Sequence, residues 1–171
     1  MSKRDLPAPV TTLLDDEAFL GTYTPDIWTF IQRSLLIGFV TALFFGPIIG
    51  LPPQTWMPIM AFTTIFSAFI FDDYTSWLRH RTDVWHLTSL RLIYENTNAP
   101  EQNAAVNLAD IHATKRMLYK NLRIDLEIGQ SVLMKYLTRP RTVERDIDMA
   151  RLALMGTIAD EADIPAEENA E

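Results

Sequence analysis

Residues 34–71 read SLLIGFVTALFFGPIIGLPPQTWMPIMAFTTIFSAFIF, a run of about 38 residues without one charged side chain. Arg33 stands just before it and Asp72-Asp73 just after. A helix in water needs no such stretch. A helix in hydrocarbon does, because a charge at the bilayer centre costs about 2.5–3.5 kcal/mol even on the mildest scale. The run therefore predicts two membrane-crossing helices, over about residues 26–50 and 56–74, joined by a tight turn.

Local signals place the ends of the pair. Thr24 is a candidate N-cap, with Pro25 at the first helical position and Asp26 next. Pro47 is expected to bend or end the first helix. Gly50-Leu51-Pro52-Pro53-Gln54-Thr55 forms the turn, since adjacent prolines cannot continue a helix. Trp28, Arg33, Trp56, Tyr74, Trp77, Arg79 and Arg81 sit where interfacial anchors belong. Gly38, Ala42 and Gly46 form a ridge of small residues, and Ala61 and Ala68 are small on the second helix, so the helices can approach closely. Both segments are short. A thin bilayer, a tilted pair or a re-entrant hairpin are the open alternatives. The competing reading, a buried pair inside a soluble protein, leaves too little chain to wrap it.

Charge on the flanks sets the expected orientation. The turn holds no Lys or Arg, whereas Arg33 precedes the pair and Arg79 and Arg81 follow it. The positive-inside bias then puts both termini in the cytoplasm of a multi-pass protein of the inner (plasma) membrane. No cleavable signal peptide is expected: the N-terminal stretch is polar and holds Asp15, Asp16 and Glu17.

Working outward, residues 1–24 read as a cytoplasmic segment with a short helix after Thr11 or Thr12 and a break at Gly21–Pro25. Residues 25–71 are the transmembrane hairpin. Residues 72–159 read as an extended helical arm. In it Tyr74, Trp77, Leu78, Val84, Trp85, Leu92 and Ile93 recur at helical spacings as far as Asn96–Pro100. A second helix is expected from Pro100 or Glu101, with Leu108, Ile111, Leu118, Leu122, Leu126, Leu133 and Leu137 as its stripe. A third follows Thr138-Arg139-Pro140-Arg141 from about Thr142, burying Val143, Ile147, Ala150, Leu154 and Ile158. Residues 160–171 are acidic and expected to be disordered. The fold class read from these segments is an all-α integral membrane protein. One stretch resists it: Leu122-Arg123-Ile124-Asp125-Leu126-Glu127-Ile128 alternates as a strand does, but needs an edge from a partner subunit to pair with.

Composition narrows the function. The net charge is −7 and no concentrated basic surface is evident, which argues against nucleic acid. The chain has no cysteine, which excludes disulfides, thiolate metal sites and cysteine nucleophiles. His80, His86 and His112 lie outside the apolar run, and His80 and His86 fall on different faces of a helix. No intramembrane ionisable residue suggests a proton or ion relay. Asp72-Asp73 reads as a stop to the apolar run. No catalytic, cofactor-binding or metal-ligating set is read, and no cofactor is expected.

The expectation is a non-catalytic assembly subunit of a larger inner-membrane complex, of the secretion, conjugation or energy-converting kind. Its hairpin would anchor in membrane lipid, and its arm would dock other subunits or a second copy through Trp85, Leu118, Leu122, Leu126 and Leu133. The alternative is a self-oligomerising pore or lysis-type protein. Against it stands the lack of a polar stripe along either helix.

Overall fold

A computed structural model describes residues 9–48, 50, 52–70 and 73–162. It replaces the all-α expectation with a mixed α/β fold. The chain runs β1 (Phe19–Tyr23), α1 (Ile27–Ile48), α2 (Trp56–Ile70), α3 (Asp73–His80), β2 (Asp83–Thr88), β3 (Arg91–Asn96), β4 (Ala104–Asn107), β5 (Ile111–Met117), β6 (Asn121–Leu126), β7 (Ser131–Met134) and α4 (Pro140–Ala162). Two antiparallel sheets result, ordered β1-β2-β3-β4 and β5-β6-β7. Trp85, Leu87 and Leu92 of the first sheet meet Ile111, Leu122, Ile124, Leu126 and Met134 of the second in one core. Helix α4 joins that core with Val143, Ile147 and Ala150, while Leu154 packs at its margin. The side chain of Ile158 lies outside the described residues.

The extended helical arm over 72–159 is thus corrected: among the described residues α-helix there is confined to α3 and α4, with short 3-10 turns between strands. Strand β6 explains part of the error. Leu122, Ile124 and Leu126 face the core while Arg123 and Asp125 face out. A spacing of four residues is common to one helix face and one strand face, so Leu122 and Leu126 satisfied both periods. The edges that β6 needs come from the same chain. β5 pairs with it from Ile111↔Leu126 to Met117↔Asn121, and β7 from Leu122↔Met134 to Asp125↔Ser131. No partner subunit supplies either edge.

Strand β2 hid for another reason. Five of its six residues are buried, so it shows no alternation. Trp85 and Leu87 point into the core. His86 lies on the other face beneath the N-terminal segment, fully buried, with Thr22 Oγ1 2.9 Å from its Nδ1. That burial pushes the imidazole pKa down, which keeps His86 neutral at pH 7.

Residues 9–18 form no helix. They strap across this sheet, held by two carboxylates. Glu95 accepts from the N–H groups of Val10 and Thr11 and from the Thr11 hydroxyl. Burial opposes ionisation of Glu95, but these donors outweigh it and hold the carboxyl below its ordinary range. Glu17, also buried, accepts from Arg91 Nε at 2.8 Å and Nη2 at 2.9 Å, and from the Thr88 hydroxyl. Arg91 is the main cause that brings the Glu17 pKa from 4.5 down to about 2; burial opposes it, and Thr88 and the Leu14 amide assist.

A carboxylate with a depressed folded-state pKa stabilises the fold above its unfolded pKa. That contribution disappears as pH falls through the folded value. The Glu17 contribution, about 3 kcal/mol, is therefore full above pH 4.5 and is lost on acidification towards pH 2. Glu17→Gln is expected to lower the thermal midpoint at pH 7 and to flatten its pH dependence in that window. Unchanged melting curves across the window would contradict this.

Candidate membrane interface

The hairpin interrupts the first sheet. β1 precedes α1, yet it pairs with β2 beyond α3, through Tyr23↔Trp85 and Gly21↔Leu87. The stretch Gly21–Pro25, expected as a break, thus holds the end of a strand. Helix α1 starts at Ile27 and spans 22 residues, about 33 Å long. Its stretch Ile27–Phe45 is long and apolar enough to cross a membrane, and most of it is not buried in the protein. Helix α2 is apolar but shorter, with 15 residues. The expected helix over 56–74 falls on α2 and the start of α3, with residues 71 and 72 outside the described ones.

Ala42 is buried between α1 and α2. At Gly38 an added Cβ would stand 1.7 Å from Thr64 Oγ1 and 3.0 Å from the Met60 carbonyl, so only glycine permits this crossing. Thr63 and Thr64 return their hydroxyl hydrogen bonds to carbonyls of their own helix, at 2.8 Å to Ile59 and 2.7 Å to Met60. Ala61 is exposed rather than at the crossing, and the side chains of Gly46 and Ala68 lie outside the described residues. Trp56 is half-buried beside Phe39, Ala42, Leu43, Met57 and Met60, where the pair lines an open apolar pocket of about 210 Å³.

The outward faces are broad and greasy. Leu35, Leu36, Phe39, Val40, Leu43, Phe44 and Phe45 are all exposed on α1, as are Met57, Phe62, Ile65 and Phe66 on α2. So many exposed apolar side chains on two neighbouring helices mark an interaction surface for lipid or protein. The reading of these helices as a buried core pair is thereby excluded within the chain.

An aromatic joint fixes the hairpin to the sheets. Phe30 of α1 stacks on Trp77 of α3 at 5.5 Å between ring centroids, and Tyr136 meets Trp77 edge-on at 5.2 Å. Trp77 is therefore buried in this joint and is no lipid anchor, contrary to its expected role. Tyr136 has φ +57°, a left-handed backbone that costs a tyrosine roughly 1 kcal/mol or more. It is held there by two hydrogen bonds: its N–H donates to Asn121 Oδ1, and its carbonyl accepts from the Asp26 N–H. The Thr29 hydroxyl reaches the Leu137 carbonyl nearby. Trp28, Tyr74, Arg79 and Arg81 are exposed around the joint, and Arg33 is half-buried on α1.

The docking residues named from the sequence divide. Trp85, Leu122 and Leu126 are buried in the protein's own core and cannot dock a partner. Leu118 is highly exposed and Leu133 partly so. Leu133 borders a cleft of about 230 Å³ between the sheets, whose walls include Trp85, Leu92, Tyr94, Val106 and Val132. At its polar side the Asp83 carboxylate accepts from the Tyr94 hydroxyl at 2.9 Å and from Asn96 Nδ2 at 2.7 Å. His80 Nδ1 lies 2.8 Å from Asp83, and its Nε2 lies 3.1 Å from Lys135 Nζ. Lysine can only donate, so the remaining ring proton sits on Nδ1 and points at Asp83. The chain of contacts ties α3 to β2 and to the residue after β7. His86 is buried in β2 and His112 is exposed on β5, so the three histidines stay apart. Among the described residues no group of three His, Asp or Glu side chains is placed to hold a metal ion.

Sequence reasoning missed Phe30, Tyr136, Asn121 and the His80–Asp83 pair. Phe30, Tyr136 and Asn121 act through contacts between distant segments that no local pattern marks, whereas His80 and Asp83 are three residues apart and meet where α3 gives way to β2. Fold and site together define a class: an antiparallel two-sheet domain with an apolar helical pair inserted between its first two paired strands. No family model, curated protein or solved structure matches the chain.

Proposed function

We propose that the protein is a non-catalytic docking subunit anchored in a membrane by its α1–α2 hairpin, in a larger inner-membrane complex. The observation that carries this is the exposed apolar surface of a helical pair that leaves and returns to adjacent strands. Because Tyr23 and Trp85 are paired, both ends of the excursion lie on the same side. An even number of crossings, or a re-entrant dip, satisfies that geometry, whereas one crossing does not. Arg33, Arg79 and Arg81 flank the same end, which favours the cytoplasmic side for the sheets.

The docking part rests on different residues from those first expected. A folded core has absorbed Trp85, Leu122 and Leu126, so these need no partner to bury them. The cleft beside Leu133 is the concave apolar surface left for one, flanked by β4 and β7, each the last strand of its sheet.

Fractionation and purification test the proposal. The protein is expected in the carbonate-washed membrane pellet, and other chains are expected to co-purify in mild detergent. A protein that stays in the supernatant without detergent would remove the anchoring. A stable detergent-solubilised monomer with no companion chain would remove the docking.

A further inference from the structure

Besides the hairpin, one apolar projection stands at the level of the joint. The turn between β5 and β6 is a single 3-10 turn, Leu118–Lys120. Leu118 is 81% exposed at its tip and Met117 is 49% exposed beside it. Two unpartnered apolar side chains on a turn are unremarkable alone. Their place is what matters.

Lys120 Nζ donates to Gln32 Oε1 on α1 at 2.9 Å. Gln32 lies two residues before the uncharged run begins, hence at its boundary. Trp28 is one helical turn earlier on the same face of α1, and it is exposed. The turn is held in position as well. Lys120 adopts φ +60°, a conformation rare for a side chain of this size, and its carbonyl accepts from the Leu137 N–H at 3.1 Å. Lys115 and Arg116 on β5 are ion-paired with Asp125 and Glu144, so no unpaired carboxylate of these two pairs opposes the approach of the tip to a bilayer, and Lys120 is the long cation beside it. Apolar tip, exposed tryptophan and a long cation at one level form the pattern of a surface seated at a bilayer boundary.

We propose that the β5–β6 turn is a second lipid contact: Met117 and Leu118 enter the headgroup boundary of the bilayer that holds α1. This rests on the anchoring reading above. It adds that the sheet domain lies against the membrane instead of swinging from the hairpin.

The absence of cysteine makes the test clean. Leu118→Cys, Phe39→Cys and Ile128→Cys each receive an environment-sensitive fluorophore in the full chain. Each is reconstituted in vesicles of phosphatidylcholine and phosphatidylglycerol. All three positions are exposed, so the fold tolerates the label. Ile128 lies past the opposite end of β6, about 20 Å from the turn, and reports water.

The Leu118 label is expected to emit at shorter wavelength than the Ile128 label. It should also lose most of its emission to lipids carrying a nitroxide near the glycerol backbone. Phe39 quenched, with Leu118 matching Ile128, overturns this proposal alone. Phe39 and Leu118 both unquenched overturns the anchoring with it. A blue-shifted Leu118 label that nitroxide lipids do not quench means that protein, such as a second copy, covers the turn, and this also overturns the proposal.

Discussion

Replacing Leu36 and Val40 together with arginine is expected to remove the protein from the membrane fraction. The two side chains are one helical turn apart on α1, and both are more than half exposed. They sit well inside the helix Ile27–Ile48, too far from its ends for arginine to reach the headgroups without deforming the bilayer. Each charge costs about 2.5–3.5 kcal/mol near the bilayer centre, so the pair costs about 5–7 kcal/mol. Neither side chain belongs to the core of the two sheets, so that domain should stay folded. Immunoblots of carbonate-washed membranes and supernatant read the result, with Ile128→Arg as a surface control that stays in the pellet. Should the double variant remain in the pellet as the parent protein does, α1 does not contact lipid along this face.

The second large effect is at the joint. Trp77→Ala takes away the ring on which Phe30 stacks and against which Tyr136 leans. Truncating a buried tryptophan costs about 3–5 kcal/mol, and the surrounding aromatics cannot collapse into the space without moving α1 or the segment after β7. Two readouts are expected to change. The thermal midpoint in mild detergent falls, and the distance distribution between spin labels at Phe39→Cys and Ile128→Cys broadens, because hairpin and sheets lose their main rigid contact. Trp77→Phe keeps part of the stack and should restore most of both. A narrow distribution in Trp77→Ala would mean that the hydrogen bonds of Asp26 and Thr29 alone fix the hairpin.

The same joint accounts for residues whose expected and observed roles differ. Trp77 and Trp28 are both aromatic, both near an end of the apolar run, and indistinguishable as candidate membrane anchors. One is buried and the other exposed because Trp77 packs between the rings of Phe30 and Tyr136, while Trp28 does not enter that joint. Leu118 and Leu122 likewise belonged to one presumed stripe. The strand that carries Leu122 turns it inward, and the turn that carries Leu118 leaves it outside.

What was legible in the sequence by itself was the uncharged, apolar run over residues 34–71 and its helical character. A run without charge states its preference residue by residue, and its prolines and glycines mark where the helices end. α4 was legible for a similar reason, since Val143, Ile147 and Ala150 repeat at a period that one helix can satisfy alone. The sheets were not legible, because a strand is stabilised only by its neighbours, and β5 and β7 beside β6, like the largely buried β2, carry no clean alternation of their own. The alternation of β6 was visible, but its two edges were not. Tertiary structure alone decided that β1 pairs with β2 across the whole hairpin. That long-range pairing brings the two ends of the apolar excursion together, gathers Phe30, Trp77 and Tyr136 at its base, and sets the β5–β6 turn beside α1.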